Sequence, residues 1–201
     1  MQKKNRKPVR MLILILFYIL SSPPVFGRDL VLLKPWQMIQ TRYTLIKYKS
    51  GEDLVLFDRS VRFGAPEKIG GITADPFQDQ DQDQAFARRL EKKVDALFER
   101  IQEILDMNKD FEPVNVHLYS DTAALKAAYE GIYPGECRLR AWYRFANNTV
   151  YLNVRDVHEG MLAHELAHAV IDHFLTVRPP PQTAEILARY VDTHLERGFV
   201  D

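Results

Sequence analysis

Cysteine is what this sequence has least of: Cys137 is the only one in 201 residues. A lone thiol closes no internal disulfide, so the chain is held by its hydrophobic core or by a bound metal. Cys137, in GECRLR, is read as an unpaired thiol without a role. Net charge is absent too, with 27 Lys+Arg against 27 Asp+Glu. Long apolar runs are also missing: Met11 to Leu20 (MLILILFYIL) has about ten residues, where a bilayer span takes about twenty. What is present, 46% hydrophobic and 27% charged residues, excludes a disordered or fibrous chain and suits one compact domain.

The N-terminus stands apart from that domain. Lys3, Lys4, Arg6, Lys7 and Arg10 precede the apolar run, and Val25 and Gly27 are small enough for the minus three and minus one positions of a signal-peptidase site. Residues 1–27 therefore read as a secretory signal, with an uncleaved membrane anchor as the alternative, and 28–201 as the exported domain, periplasmic or secreted. Without the five basic residues of that segment, 22 Lys+Arg face 27 Asp+Glu. A net charge of minus five argues against a nucleic-acid partner.

Further along, RYTLIKY and DLVLFDRSVRF flank Lys49-Ser50-Gly51-Glu52, which predicts either a hairpin or a strand followed by a short helix. Residues 65–84, ending in QDQDQDQ, read as an exposed connection. Asp79, Asp81 and Asp83 stand where a calcium loop would begin, but Gln84 and Leu90 occupy the positions of its glycine and closing glutamate. Phe86, Leu90, Val94, Leu97, Ile101 and Leu105 recur every three or four residues, the stripe of a long amphipathic helix. Val114, Val116 and Leu118 alternate as a strand does, and Asp121 can cap a helix running through Tyr129. An irregular loop is expected over 131–142, and another strand over Thr149–Val154.

The chemistry lies beyond that strand. Asp156 and Glu159 have the spacing of a capping pair, and a helix is expected from Val157 to about Val177, ahead of Pro179-Pro180-Pro181. It contains His164-Glu165-Leu166-Ala167-His168. Residues four apart lie one turn above each other, so both imidazoles can face one ion at roughly 2.0 Å. Glu165, about 100° round from His164, is placed to touch a water on that ion. Leu162, Leu166, Val170 and Leu175 form the side that packs inward.

A second helix follows the prolines, and Glu185, seventeen residues past His168, is a candidate third ligand near its start. Together these features make the chain resemble the gluzincin branch of zinc metallopeptidases, with a peptidase MA-like domain, in which HExxH on one helix is followed by Glu on the next. The segment equivalent to the frequent E-G-L-A-E-Y reads Glu185-Ile186-Leu187-Ala188-Arg189-Tyr190, so Ile186 replaces the common glycine and Arg189 stands where some relatives carry an acid. The resemblance covers residues 145–196. The metzincin pattern fails, since Ile171 and Phe174 occupy its glycine and histidine positions.

The resemblance implies Zn2+ held by His164, His168 and Glu185, with Glu165 as the base acting on a zinc-activated water and a peptide or protein as substrate. Asp192 is a candidate acceptor for the outward N–H of a ligating histidine, with solvated surface as the alternative. Tyr190, Tyr151 and Arg189 are candidate oxyanion donors, and Thr149–Val154 a candidate edge for pairing with substrate. His117, His158 and His194 stay outside the site. The rival reading is a noncatalytic zincin-like domain that binds a partner or holds zinc structurally, and a metal-free helix pair is the third. The expected fold is α+β and zincin-like, a small, mostly antiparallel sheet packed against the long helix and the HExxH helix.

Overall fold

The computed structural model describes residues 35–63 and 80–195; the expected signal segment and most of the 65–84 connection lie outside them. The chain order is β1 (Gln37–Gln40), β2 (Thr44–Tyr48), α1 (Gly51–Ser60), α2 (Gln80–Leu105), β3 (Val114–Tyr119), α3 (Thr122–Glu130), β4 (Ala141–Arg144), β5 (Thr149–Asn153), α4 (Glu159–Phe174) and α5 (Pro181–His194).

Local chemistry explains most of these boundaries. Ser50 starts α1 by accepting from the backbone N–H of Asp53 at 3.2 Å, so the 49–52 segment opens a helix and does not close a hairpin. Asp121 caps α3 in the same way, accepting from Ala124 N–H at 2.8 Å. The cap of α4 differs from the expected Asp156–Glu159 pair. His158 accepts from Met161 N–H at 3.2 Å through Nδ1, Asp156 is taken by Arg140, and Glu159 accepts the Arg62 backbone N–H at 2.7 Å. A carboxylate held by a guanidinium is not free to cap.

The five strands form one mixed sheet in the order β1-β2-β3-β5-β4. Antiparallel pairing is confined to the two outer pairs, β1–β2 and β4–β5, while β2–β3 and β3–β5 are parallel. The expectation of a mostly antiparallel sheet is thus corrected. Helical crossovers return the chain to the same end of the sheet, α1 and α2 between β2 and β3 and α3 between β3 and β5, which makes the joined strands parallel. The antiparallel pairs are joined by short reversals instead, residues 41–43 between β1 and β2, and the 3-10 turn Phe145–Asn147, closed by Asn148 at φ 47, between β4 and β5.

One sheet face carries the main core. Val114, Val116, Leu118, Val150 and Leu152 meet the α2 stripe of Phe86, Leu90, Val94, Leu97 and Ile101, and the α4 stripe of Leu162, Leu166 and Val170, all buried. Leu175, expected on that stripe, is the C-cap of α4 and only half-buried. The opposite face carries a smaller cluster of Leu125, Cys137, Trp142 and Tyr151. Cys137 is therefore a buried thiol on the side of the sheet away from α4.

Candidate metal centre

Helix α4 buries Leu162, Ala163, Leu166, Ala167, Ala169, Val170 and Ile171, which fixes its rotation and leaves His164, Glu165 and His168 half-buried on the remaining stripe. After Pro179, helix α5 starts with Pro181, whose ring fixes φ and whose missing N–H costs nothing in a first turn. Its Ala188 and Val191 are buried against the core, and Glu185 then faces α4.

The three expected ligands come together. Glu185 Oε2 lies 3.6 Å from His164 Nε2 and 3.6 Å from His168 Nε2, and one ligand atom from each residue falls within 4.8 Å of the others. A separation of 3.6 Å is too long for a hydrogen bond. Around a tetrahedral ion with bonds of about 2.0–2.1 Å, ligand atoms stand about 3.4 Å apart. Two imidazoles and one carboxylate in this arrangement fit zinc, and as three ligands they would leave a bound ion open to water. The His164 and His168 rings, 5.0 Å apart and inclined at 79°, address the point between them from different directions.

Electrostatics favour the ligating forms. Burial, helped by His164, pushes His168 down to about 4, so its imidazole is neutral at physiological pH. Burial alone would raise Glu185, but the hydrogen bond from Arg189 and the charges of His164, His168 and Arg189 hold its carboxyl below the usual range. Neutral imidazole and ionised carboxylate are the forms a metal requires. Glu165 moves the other way: burial and the nearby Glu185 push it up to about 7, against a hydrogen bond from the Tyr143 backbone. A carboxylate at that value both takes and gives a proton near neutrality.

Of the surrounding candidates, Arg189 is committed to Glu185, its Nε donating to Oε1 at 3.0 Å. Asp192 packs against the N-terminal turn of α4, its carboxylate over Gly160, and among the described residues makes no hydrogen bond to His164 or His168. Tyr190 stacks on His194 with centroids 3.9 Å apart. Tyr151 lies on the other sheet face, accepting from Asn147 and stacked on Trp142. His158 is a helix cap, His194 bonds the Tyr190 carbonyl, and His117 sits among Trp36 and Tyr151, so all three stay out of the site.

The sequence reading missed two features. Strand β4 lies partly in the expected 131–142 loop, yet it runs beside α4 and brings Tyr143 to Glu165. Its signal was the Ala141-Trp142-Tyr143-Arg144 run, rich in strand-forming aromatics. The second is Arg178, in the α4–α5 connection, whose charge acts on both His168 and Tyr143. Comparison with family models, curated proteins and solved structures finds no match for this chain.

Proposed function

We propose that the chain is an exported zinc-dependent peptidase with a zincin-like catalytic domain, in which His164, His168 and Glu185 hold the metal and Glu165 is the general base. The observation that carries this reading is the convergence of three ligand atoms from two helices within 4.8 Å, with a carboxyl group of raised pKa beside them. Zinc bound there supplies Lewis acidity, making hydroxide available at neutral pH and polarising the scissile carbonyl. Glu165 takes the proton of the attacking water and returns it to the leaving amine. The Tyr143 backbone orients the Glu165 carboxylate, and Arg189 orients that of Glu185.

The substrate edge needs correction. Thr149–Asn153 is an interior strand, paired with β3 on one side and β4 on the other, so its backbone groups are spent within the sheet. Strand β4 is the outer strand next to α4, and an extended peptide would pair there by main-chain hydrogen bonds.

The decisive experiment uses the chain from Arg28, metal analysis and unstructured peptides. About one zinc per chain is expected, with cleavage lost in Glu165→Gln while the metal is retained. Zinc without cleavage would favour the noncatalytic zincin-like reading, and absence of bound zinc would overturn the peptidase and leave a partner-binding domain or the metal-free helix pair.

A further inference from the structure

Arg178 is built into the α4–α5 connection with unusual restraint for a surface arginine. Its Nε donates to Asp172 Oδ1 at 3.1 Å, and the Asp172 side chain is only 3% exposed. The guanidinium carbon lies 4.8 Å over the Phe145 ring, and Phe145 is itself half-exposed. Pro179, Pro180 and Pro181 follow directly and stiffen the connection. The arginine is thus clamped from two sides, yet its side chain remains 61% exposed. Of five guanidinium N–H donors one is used; among the described residues the Nη atoms donate to nothing.

The place of this clamp gives it meaning. Phe145 follows Arg144, the last residue of β4, and lies two residues beyond Tyr143, the residue whose backbone touches Glu165. Phe145 opens the 3-10 turn that ends β4, and two residues span at most about 7 Å of chain, so the ring under the guanidinium lies just past the strand residue that meets Glu165. A peptide paired on the outer edge of β4 passes from one to the other. Of the nearby acids, Asp172 takes the Nε side of the guanidinium and leaves both Nη groups open, and Glu185 is bonded to Arg189. An ordinary surface ion pair contributes little and needs neither a buried acid nor an aromatic seat.

We propose that Arg178, fixed by Asp172 and seated on Phe145, is a carboxylate-reading subsite, so that the peptide accepted by this centre carries an Asp, Glu or chain-terminal carboxylate about two residues from the bond cut. The inference rests on the peptidase reading and specifies its substrate class. Pre-organisation is the physical advantage: the side-chain entropy of a long arginine is spent in folding, and none of it opposes binding.

Binding tests the subsite separately from turnover. Zinc-loaded Glu165→Gln protein is titrated with fluorescein-labelled Ala-Gly-Ser peptides carrying one Asp or one Asn, each with a free or an amidated C-terminus. Tighter binding of the Asp peptides identifies a side-chain carboxylate, and tighter binding of the free-acid peptides identifies a chain terminus. Either preference should be about ten-fold and should vanish on adding Arg178→Ala. Arg178→Glu should reverse it in favour of a Lys-bearing peptide, which a misfolded variant would not do. Equal affinity for acid and amide peptides, no peptide binding at all, or a preference that survives Arg178→Ala overturns the subsite. Failure of the wild-type chain to cleave any peptide while this preference persists overturns the peptidase reading instead.

Discussion

Arg189 holds one oxygen of Glu185, donating from Nε to Oε1 at 3.0 Å, and so leaves Oε2 as the oxygen facing His164 and His168. Arg189, which stands where some gluzincins carry an acid, is therefore an orienting partner of the proposed third ligand. Arg189→Ala should weaken zinc binding by about 10-fold, the lower end for loss of such a partner, since the pair is largely exposed. Competition with a chromogenic chelator measures this. An unchanged zinc affinity would show that the contact orients nothing.

The proposed metal site links zinc to stability. A ligand bound only by the native state at about 100 times its Kd adds about 2.7 kcal/mol. Thermal unfolding of the chain from Arg28 should shift upward with zinc and return on adding chelator. Glu185→Ala should abolish most of that shift, and an equal shift in this variant would rule Glu185 out as a ligand.

A buried ion pair ties α1 to α2. Lys93 Nζ lies 2.8 Å from Asp58 Oδ1 and 3.0 Å from the Asp58 carbonyl, with Arg89 on the other carboxylate oxygen at 2.9 Å. Asp58→Ala strands a buried ammonium and should cost about 3–5 kcal/mol. Replacing Lys93 by Met as well should recover a large part of it. Urea unfolding of the two variants decides this, and a loss below 1 kcal/mol in Asp58→Ala would contradict the buried pairing.

His117 sets an acid limit on stability. Burial, with Lys47 adding to it, pushes its pKa down to about 4 from an ordinary 6.5, and its Nε2 is buried without a hydrogen-bond partner. The unfolded chain therefore binds this proton first as pH falls. Stability is unaffected above 6.5 and is lost between 6.5 and about 4. At about 1.4 kcal/mol per pKa unit the full shift is worth about 3.4 kcal/mol, and because the ring is only partly buried, solvent screening reduces the expected loss to about 2 kcal/mol. His117→Gln should flatten that part of the stability profile relative to wild type when urea unfolding is compared at pH 7.5 and 4.5. Parallel profiles in the two proteins would refute the assignment.

Periodicity along the chain was enough for the elements that bury one face. The α2 stripe from Phe86 to Ile101 and the alternation of Val114, Val116 and Leu118 are local signals, because burial repeats at 3.6 or 2 residues. Strands β1 and β4, with four residues each, are too short for such a repeat, and β4 announces itself only by its aromatic pair Trp142-Tyr143. The α4 boundary was misplaced by competition: Asp156 has the capping spacing, but Arg140, sixteen residues earlier, takes its carboxylate.

The sequence by itself determined the chemistry on offer at the site. Spacing on one helix puts His164 and His168 on one face with Glu165 beside them, and Glu185 follows on the next, since helical geometry is a property of neighbours along the chain. Tertiary structure alone decided whether those helices meet with Glu185 Oε2 3.6 Å from both imidazoles. It also decided which strand is the open edge, and that Arg178 rests on Phe145, thirty-three residues away in sequence, at the end of that edge. Contacts of that kind depend on how crossovers return the chain and on which buried stripes pack together, and no local pattern encodes them.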